Sequence, residues 1–474
     1  MPAPLEDLSR YKYKSLLITG LATFLGTLDS SIVNVSLPTI SHEMGASVDL
    51  VGWIILSYAI AVISFLMVFG AVAEKKGYQI SYVYGFLIFA LGSLFCGLSY
   101  NIYFLIAMRG IQGIGAALLI AVGPALLTRT FPEHERGRGL SMIAMVVSTG
   151  LMLGPPLGGF LIALAGWRWI FFVNLPFAIL GIYFTKRYIS DFPITSPGRK
   201  ISFPGAATLS LALLILMAAL SLFSRHILSE SALAALSVIS VLAFGMFFYF
   251  EGKPQTRLIG LEIFRNRVFS FSGSAMFLVF VSLSSVTVLL PFYLEQVHHY
   301  DPEEVGLILM ILPLCGLFMA PLAGYLADKV QARIISTLGV LLMLAGILLV
   351  RRLDDHSTLS QIITALLFVG LGMGLFSTPN TSSIMGAAKK TQLGSASGIL
   401  ATIRSLGLAI GVSLAIAIFG YYQNLHLKTG ADKLTSFIAA YREVYLIILF
   451  FAAGAIILSL IRGRNIQPET KEKP

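Results

Sequence analysis

Charge is what this sequence lacks most. Asp, Glu, Lys and Arg together supply 12% of its 474 residues, about half the roughly 25% usual in soluble proteins. A chain of this length cannot clothe a water-facing surface with so few charges, so its main solvent is expected to be lipid. Cysteine is scarce as well. Cys96 and Cys315 both lie inside apolar runs and offer no disulfide framework; they read as small buried hydrophobes. No Gly-x-x-x-x-Gly-Lys-Ser/Thr phosphate loop occurs, and no polar stretch is long enough for a nucleotide domain, so ATP is not the expected energy source. His298 and His299 have no further ligands at zinc spacing. The sequence implies no metal and no cofactor.

Apolar residues fill the space: they make up 57% of the chain, whose mean hydropathy is +0.85. A helix needs about 20 mainly apolar residues to cross a bilayer. Runs of that kind fall at 15–38, 50–73, 81–99, 102–127, 140–164, 168–188 and 203–223, then at 231–250, 269–294, 305–327, 334–351, 358–380, 394–419 and 444–461. The first is too long for a signal h-region and has no small-residue cleavage site, so it is expected to be the first span. These runs predict an all-α polytopic membrane protein with fourteen transmembrane helices; a β-barrel would show short alternating segments instead.

Basic residues orient the spans. With the N-terminus placed in the cytoplasm, 24 of the 33 Lys and Arg fall in cytoplasmic segments and seven in outer loops, while Arg109 and Arg404 fall inside spans. That asymmetry predicts both termini inside, in the cytoplasmic membrane. The net charge of +10 is spread through short loops, without the clustered basic face and aromatic platforms that nucleic acid would need.

Two loops repeat one another. Gly70, Ala73, Glu74, Lys75 and Gly77 follow the second run; Gly324, Ala327, Asp328 and Lys329 follow the tenth at matching spacing. Such a repeat marks a protein built from two halves. The expected division is an N-terminal six-helix bundle at 1–190, two additional helices with their loops at 191–258, and a C-terminal six-helix bundle at 259–474.

Further motifs sit on particular runs: Leu28-Asp29-Ser30-Ser31-Ile32-Val33-Asn34 on the first, Met108-Arg109-Gly110-Ile111-Gln112-Gly113 on the fourth, and Gly150-x-x-x-Gly154-Pro155-Pro156-x-Gly158-Gly159 on the fifth. With the paired loops, they make the chain resemble the major facilitator superfamily, in its fourteen-helix drug:proton antiporter branch, over nearly its whole length. The resemblance implies a secondary transporter, not an enzyme, that exports amphipathic or cationic compounds against protons by alternating access. The sequence departs from the family pattern at Glu74, where Asp is usual, at Tyr78-Gln79, where a basic pair is usual, and at Gln331, where Gly is usual. Sodium is an alternative coupling ion, and a specific metabolite, lipid or siderophore an alternative substrate. The expected partners are a small molecule, the coupling ion and the lipid bilayer, with no nucleic acid, and the chain is expected to act as a monomer. An embedded enzyme would need clustered intramembrane His, Asp, Glu or Ser; one deep carboxylate is too few. A receptor would hardly need two matching halves.

Ionisable residues at membrane depth are costly and point to function. Asp29 lies about 14 Å, and Arg109 about 10 Å, from the outer ends of their runs at 1.5 Å per residue. The resemblance puts those helices side by side, so the two can pair, either as a proton switch or as a static ion pair. Glu295, at the outer end of the ninth run, is a third candidate for proton coupling, with a solvated loop as the plainer alternative. Thr27, Ser31, Asn34, Tyr58 and Gln112 are expected to touch substrate. Gly150, Gly154 and Gly158 share one helix face and admit a close neighbour; with Pro155 and Gly159 the resemblance makes them a seam between the halves. Arg404 is expected to pack against a neighbouring helix, in a structural or a coupling role.

Overall fold

A computed structural model describes residues 11–131, 136–189, 203–224, 230–252, 261–387 and 393–463. Among them are sixteen α-helices. The first seven are α1 (Lys12–Glu43), α2 (Val48–Lys76), α3 (Tyr78–Gly97), α4 (Ile102–Thr130), α5 (Arg136–Ala165), α6 (Trp169–Phe172) and α7 (Asn174–Tyr188). Then come α8 (Phe203–Ser224) and α9 (Glu230–Glu251). The remainder are α10 (Arg267–Gln296), α11 (Pro302–Leu309), α12 (Ile311–Lys329), α13 (Ala332–Arg352), α14 (Leu359–Gly386), α15 (Leu393–Lys428) and α16 (Lys433–Ile461).

Twelve spans in this set are long and apolar enough to cross a membrane. The other two expected spans correspond to α8 and α9, each 22 residues long; their described apolar stretches, Ala207–Leu216 and Ala234–Phe250, are shorter. Two spans are each built from two helices. Pro176 is the third residue of α7, and Pro313 the third of α12. Neither can donate to the carbonyl four residues back, so the helix breaks at Val173 and at Met310 and starts again.

Helices α1–α7 pack chiefly on one another, as do α10 and α12–α16; α11 lies mainly against α5, α8 and α9 pair together, and α8 rests on α2 and α15. Glycines set the closest approaches. A Cβ at Gly115 would lie 2.8 Å from Phe89 Cα, and one at Gly92 would lie 2.7 Å from the Gln112 backbone, so α3 and α4 touch main chain to main chain. The two groups meet through α1, α2 and α5 on one side and α10, α11, α12 and α15 on the other. Gly159 abuts Pro302 and Glu303, Gly306 abuts Pro155, and Gly52 abuts Ile416. All three approaches lie toward the end where α1 and α5 finish and α2 and α11 begin.

The paired loops differ in backbone. Gly77 closes α2 with φ +102°, a region that side-chain-bearing residues avoid, and its N–H bonds Ala73 O at 3.0 Å. At the second loop Val330 and Gln331 are extended instead, with φ −125° and −52°. Gln331 therefore needs no glycine. Lys329 Nζ lies 4.4 Å from the centroid of the Tyr325 ring, and Gly324 faces Thr378. The side chains of Glu74, Lys75 and Asp328, and the surroundings of Gly70, lie outside the described residues.

Candidate functional site

Five helices deliver one buried polar set. α1 carries Asp29, and α4 carries Arg109 and Gln112 three residues apart on one face. α3 brings Ser93, α2 brings Tyr58 and the Ile54 carbonyl, and the break before α7 puts Asn174 at a helix start. Arg109 Nη1 is 2.7 Å from Asp29 Oδ2. Gln112 Nε2 and Asn174 Nδ2 each donate to Asp29 Oδ1 at 2.8 Å. Arg109 also donates to Ile54 O at 3.1 Å and to Gln112 Oε1 at 2.6 Å, and Gln112 Nε2 reaches Ser93 Oγ at 2.7 Å. The Tyr58 ring covers the guanidinium at 4.3 Å. Gly113 permits this, since a Cβ there would crowd the Tyr58 backbone. Asp29 is 0% and Arg109 1% exposed.

Removing two charges from water costs several kcal/mol per ion, roughly, and is repaid only by close pairing and further hydrogen bonds. Both conditions are met here. Asp29 and Arg109 offset each other's charge, and the hydrogen bonds around them tie all five helices together.

Several residues expected to touch substrate have partners within the protein. Gln112 and Tyr58 belong to the buried set rather than to an opening. Ser31 Oγ donates to Gly150 O at 3.2 Å, and Thr27 Oγ1 donates to Thr23 O and Phe24 O in its own helix. Both face α5, because the missing side chains of Gly150 and Gly154 leave them room. Asn34 is half-buried.

The glycine stripe also lies differently from the expected seam between halves. Gly150, Gly154 and Gly158 meet Thr27, Ser31 and Ile32 of α1, within the same group of helices. Pro155 and Gly159, turned onto another face of α5, are the ones that reach α11 across the divide.

Glu295 is half-buried and its Oε1 has no hydrogen-bond partner. His298 bonds the Tyr293 hydroxyl at 2.9 Å. No cluster of three metal-ligating side chains occurs among the described residues. Arg404 stacks over Phe280 at 5.2 Å, and its Nε is buried without a partner.

Ser93 and Asn174 escaped the sequence reading. Nothing marks a lone Ser or Asn in an apolar run as belonging to a distant carboxylate; only the Asn-x-Pro start of α7 offered a clue.

A model of the Major Facilitator Superfamily matches residues 19–411 and 272–474. The chain is 30% identical over 433 residues to the riboflavin transporter RibZ of Clostridioides difficile, covering 90% of this chain and 93% of that one. It is 28% identical over 429 residues to the multidrug resistance protein Stp of Mycobacterium tuberculosis, with 90% and 79% covered. Similarity to the probable multidrug resistance protein EmrY of Escherichia coli is also 28%, with 90% and 83% covered. Among solved structures, a peptide transporter, POT, superposes with a TM-score of 0.66 at 16% identity, covering 96% of this chain and 99% of that one.

Proposed function

The chain belongs to the major facilitator superfamily, a family of multi-pass membrane transporters, and from that premise we propose that it is a proton-coupled exporter of amphipathic organic compounds working by alternating access. The observation that carries the coupling reading is the closed set around Asp29, in which one carboxylate holds an arginine and two amides from two other helices, α4 and α7. Protonation neutralises Asp29, weakens its hold on Arg109 and loosens α1 against α4 and α7. Deprotonation draws them together again. Glu295, half-buried and without a partner at Oε1, is proposed as a second proton-handling group near the sealed end.

The contacts of Gly159 with Pro302 and of Gly306 with Pro155 suit a state closed at one end. With the termini in the cytoplasm, that end is the outer one. The proposed frame has bundles at 1–190 and 259–474, with α8 and α9 completing fourteen spans in a monomer of the cytoplasmic membrane. Two relatives whose names specify multidrug resistance support an exporter of varied compounds.

A second reading, transport of one specific metabolite, draws on the similarity to a riboflavin transporter. The test is uptake into proteoliposomes with an acidic lumen, or with a sodium gradient, using ethidium, riboflavin and 1-naphthalenesulfonate. Accumulation of more than one compound with the proton gradient alone is expected. Accumulation of riboflavin alone favours the second reading, and dependence on sodium overturns proton coupling.

A further inference from the structure

Three arginines lie deep in the described structure, and two of them are satisfied. Arg109 holds Asp29. Arg462 donates to Asn380 Oδ1 at 2.8 Å and to Ser272 and Ser336 at 3.3 Å each. Arg404 differs: among the described residues it makes no ion pair or hydrogen bond, and its Nε is enclosed without a partner. Its guanidinium lies over the face of Phe280, 5.2 Å away.

Its position is set by packing. Gly407 and Gly411 press on Phe277 and Val281 of α10, and Arg404 lies on the same face one turn earlier. Helices α10, α16, α2 and α8 surround α15. No described side chain from 396 to 423 is exposed, as lipid-facing ones on α9 are. Yet Ala401 and the run 403–406 are half-exposed. α15 is therefore incompletely covered along this stretch, with Arg404 at its centre.

We infer that this incompletely covered stretch of α15 borders an opening with an anion-binding subsite formed by Arg404 over the Phe280 ring, and that the compounds carried are aromatic anions or zwitterions, not simple cations. The inference rests on the transport reading above and sharpens its substrate class. A guanidinium offers five N–H donors in a planar fork that fits carboxylate, sulfonate or phosphate groups. Leaving it unpaired inside a membrane protein is costly, and a ligand that arrives and departs relieves that cost only while bound. An aromatic body continues the stacking that Phe280 begins. Asp29 cannot serve a cationic ligand equally well, because Arg109, Gln112 and Asn174 already occupy both of its oxygens. Glu295 is 15 residues along α10 from Phe280, about 22 Å away at 1.5 Å per residue. The uncompensated charge at the centre is positive.

The test uses three probes with one ring system and fixed charge: 1-naphthalenesulfonate, neutral 1-naphthalenesulfonamide and 1-naphthyltrimethylammonium. Binding is measured to the full chain in lipid nanodiscs, for wild type, Arg404→Lys and Arg404→Gln. Wild type should bind the sulfonate about tenfold more tightly than the sulfonamide, the factor that about 1.4 kcal/mol provides, and the cation most weakly. Arg404→Lys should keep part of the preference, and Arg404→Gln should erase it. Equal or tighter binding of the amide or the cation by wild type overturns the inference. So does a sulfonate preference that survives in Arg404→Gln, or failure of wild type to bind any probe at millimolar concentration. If Arg404→Gln does not fold, the wild-type order and the weakened order in Arg404→Lys decide. Proton-driven uptake is scored separately. Sulfonate binding through Arg404 without uptake overturns the export reading alone, whereas uptake without charge preference overturns the subsite alone.

Discussion

A carboxylate with no exposed surface survives at Asp29 because three donors from two neighbouring helices meet it. Breaking such a pair from one side leaves an uncompensated charge and costs about 3–5 kcal/mol, while removing both charges costs less. Arg109→Gln alone should therefore lower thermal stability in detergent more than Asp29→Asn with Arg109→Gln. A double-mutant cycle should return coupling of about 0.5–3 kcal/mol; additive losses would show that the ion pair does not form. Asp29 and Arg109 were legible in the sequence because ionisable residues stand out in apolar runs. Ser93 and Asn174 were not, nor were the bonds of Gln112 to Asp29 and Ser93. Neutral polar residues are common in membrane helices, and their partners depend on how Gly92 and Gly113 let neighbouring helices approach.

Whole helices were easier to read than their ends. Hydropathy reports the lipid-facing length, so each expected span finds a helix, but α15 and α16 run on past their apolar cores to Lys428 and back to Lys433. The breaks at Val173 and Met310 were missed, although Pro176 and Pro313 mark both. On α5, a Cβ at Gly154 would overlap Ser31 Oγ. Gly154→Leu should wedge α5 from α1, costing about 1–3 kcal/mol or more, and should impair transport severely; Leu161→Ala, which adds no bulk on that helix, should be milder. Equal transport by Gly154→Leu and wild type would contradict this packing. Gly77→Ala meets a different obstacle, a φ of +102°, and should lower stability by about 1–3 kcal/mol, read as a fall in melting temperature.

For the whole molecule, alternating access requires that the contact between α5 and α11 open and close. A Cβ at Gly159 would lie 2.7 Å from Glu303 Cα, so Gly159→Ala should keep that contact from closing and impair transport severely. Wild-type transport by Gly159→Ala would mean that the contact need not close. The repeat raised the expectation of two halves, but it could not say which glycines meet α11, because the stripe and those contacts occupy different faces of α5. The most direct measurement of the central claim is proton movement in proteoliposomes holding a pH dye, on addition of a compound found to be transported. Wild type should release lumenal protons as the compound enters. Asp29→Asn, inserted and folded in equal amount, should bind the compound yet release none. Proton release and gradient-driven accumulation by Asp29→Asn at the wild-type rate would contradict the account.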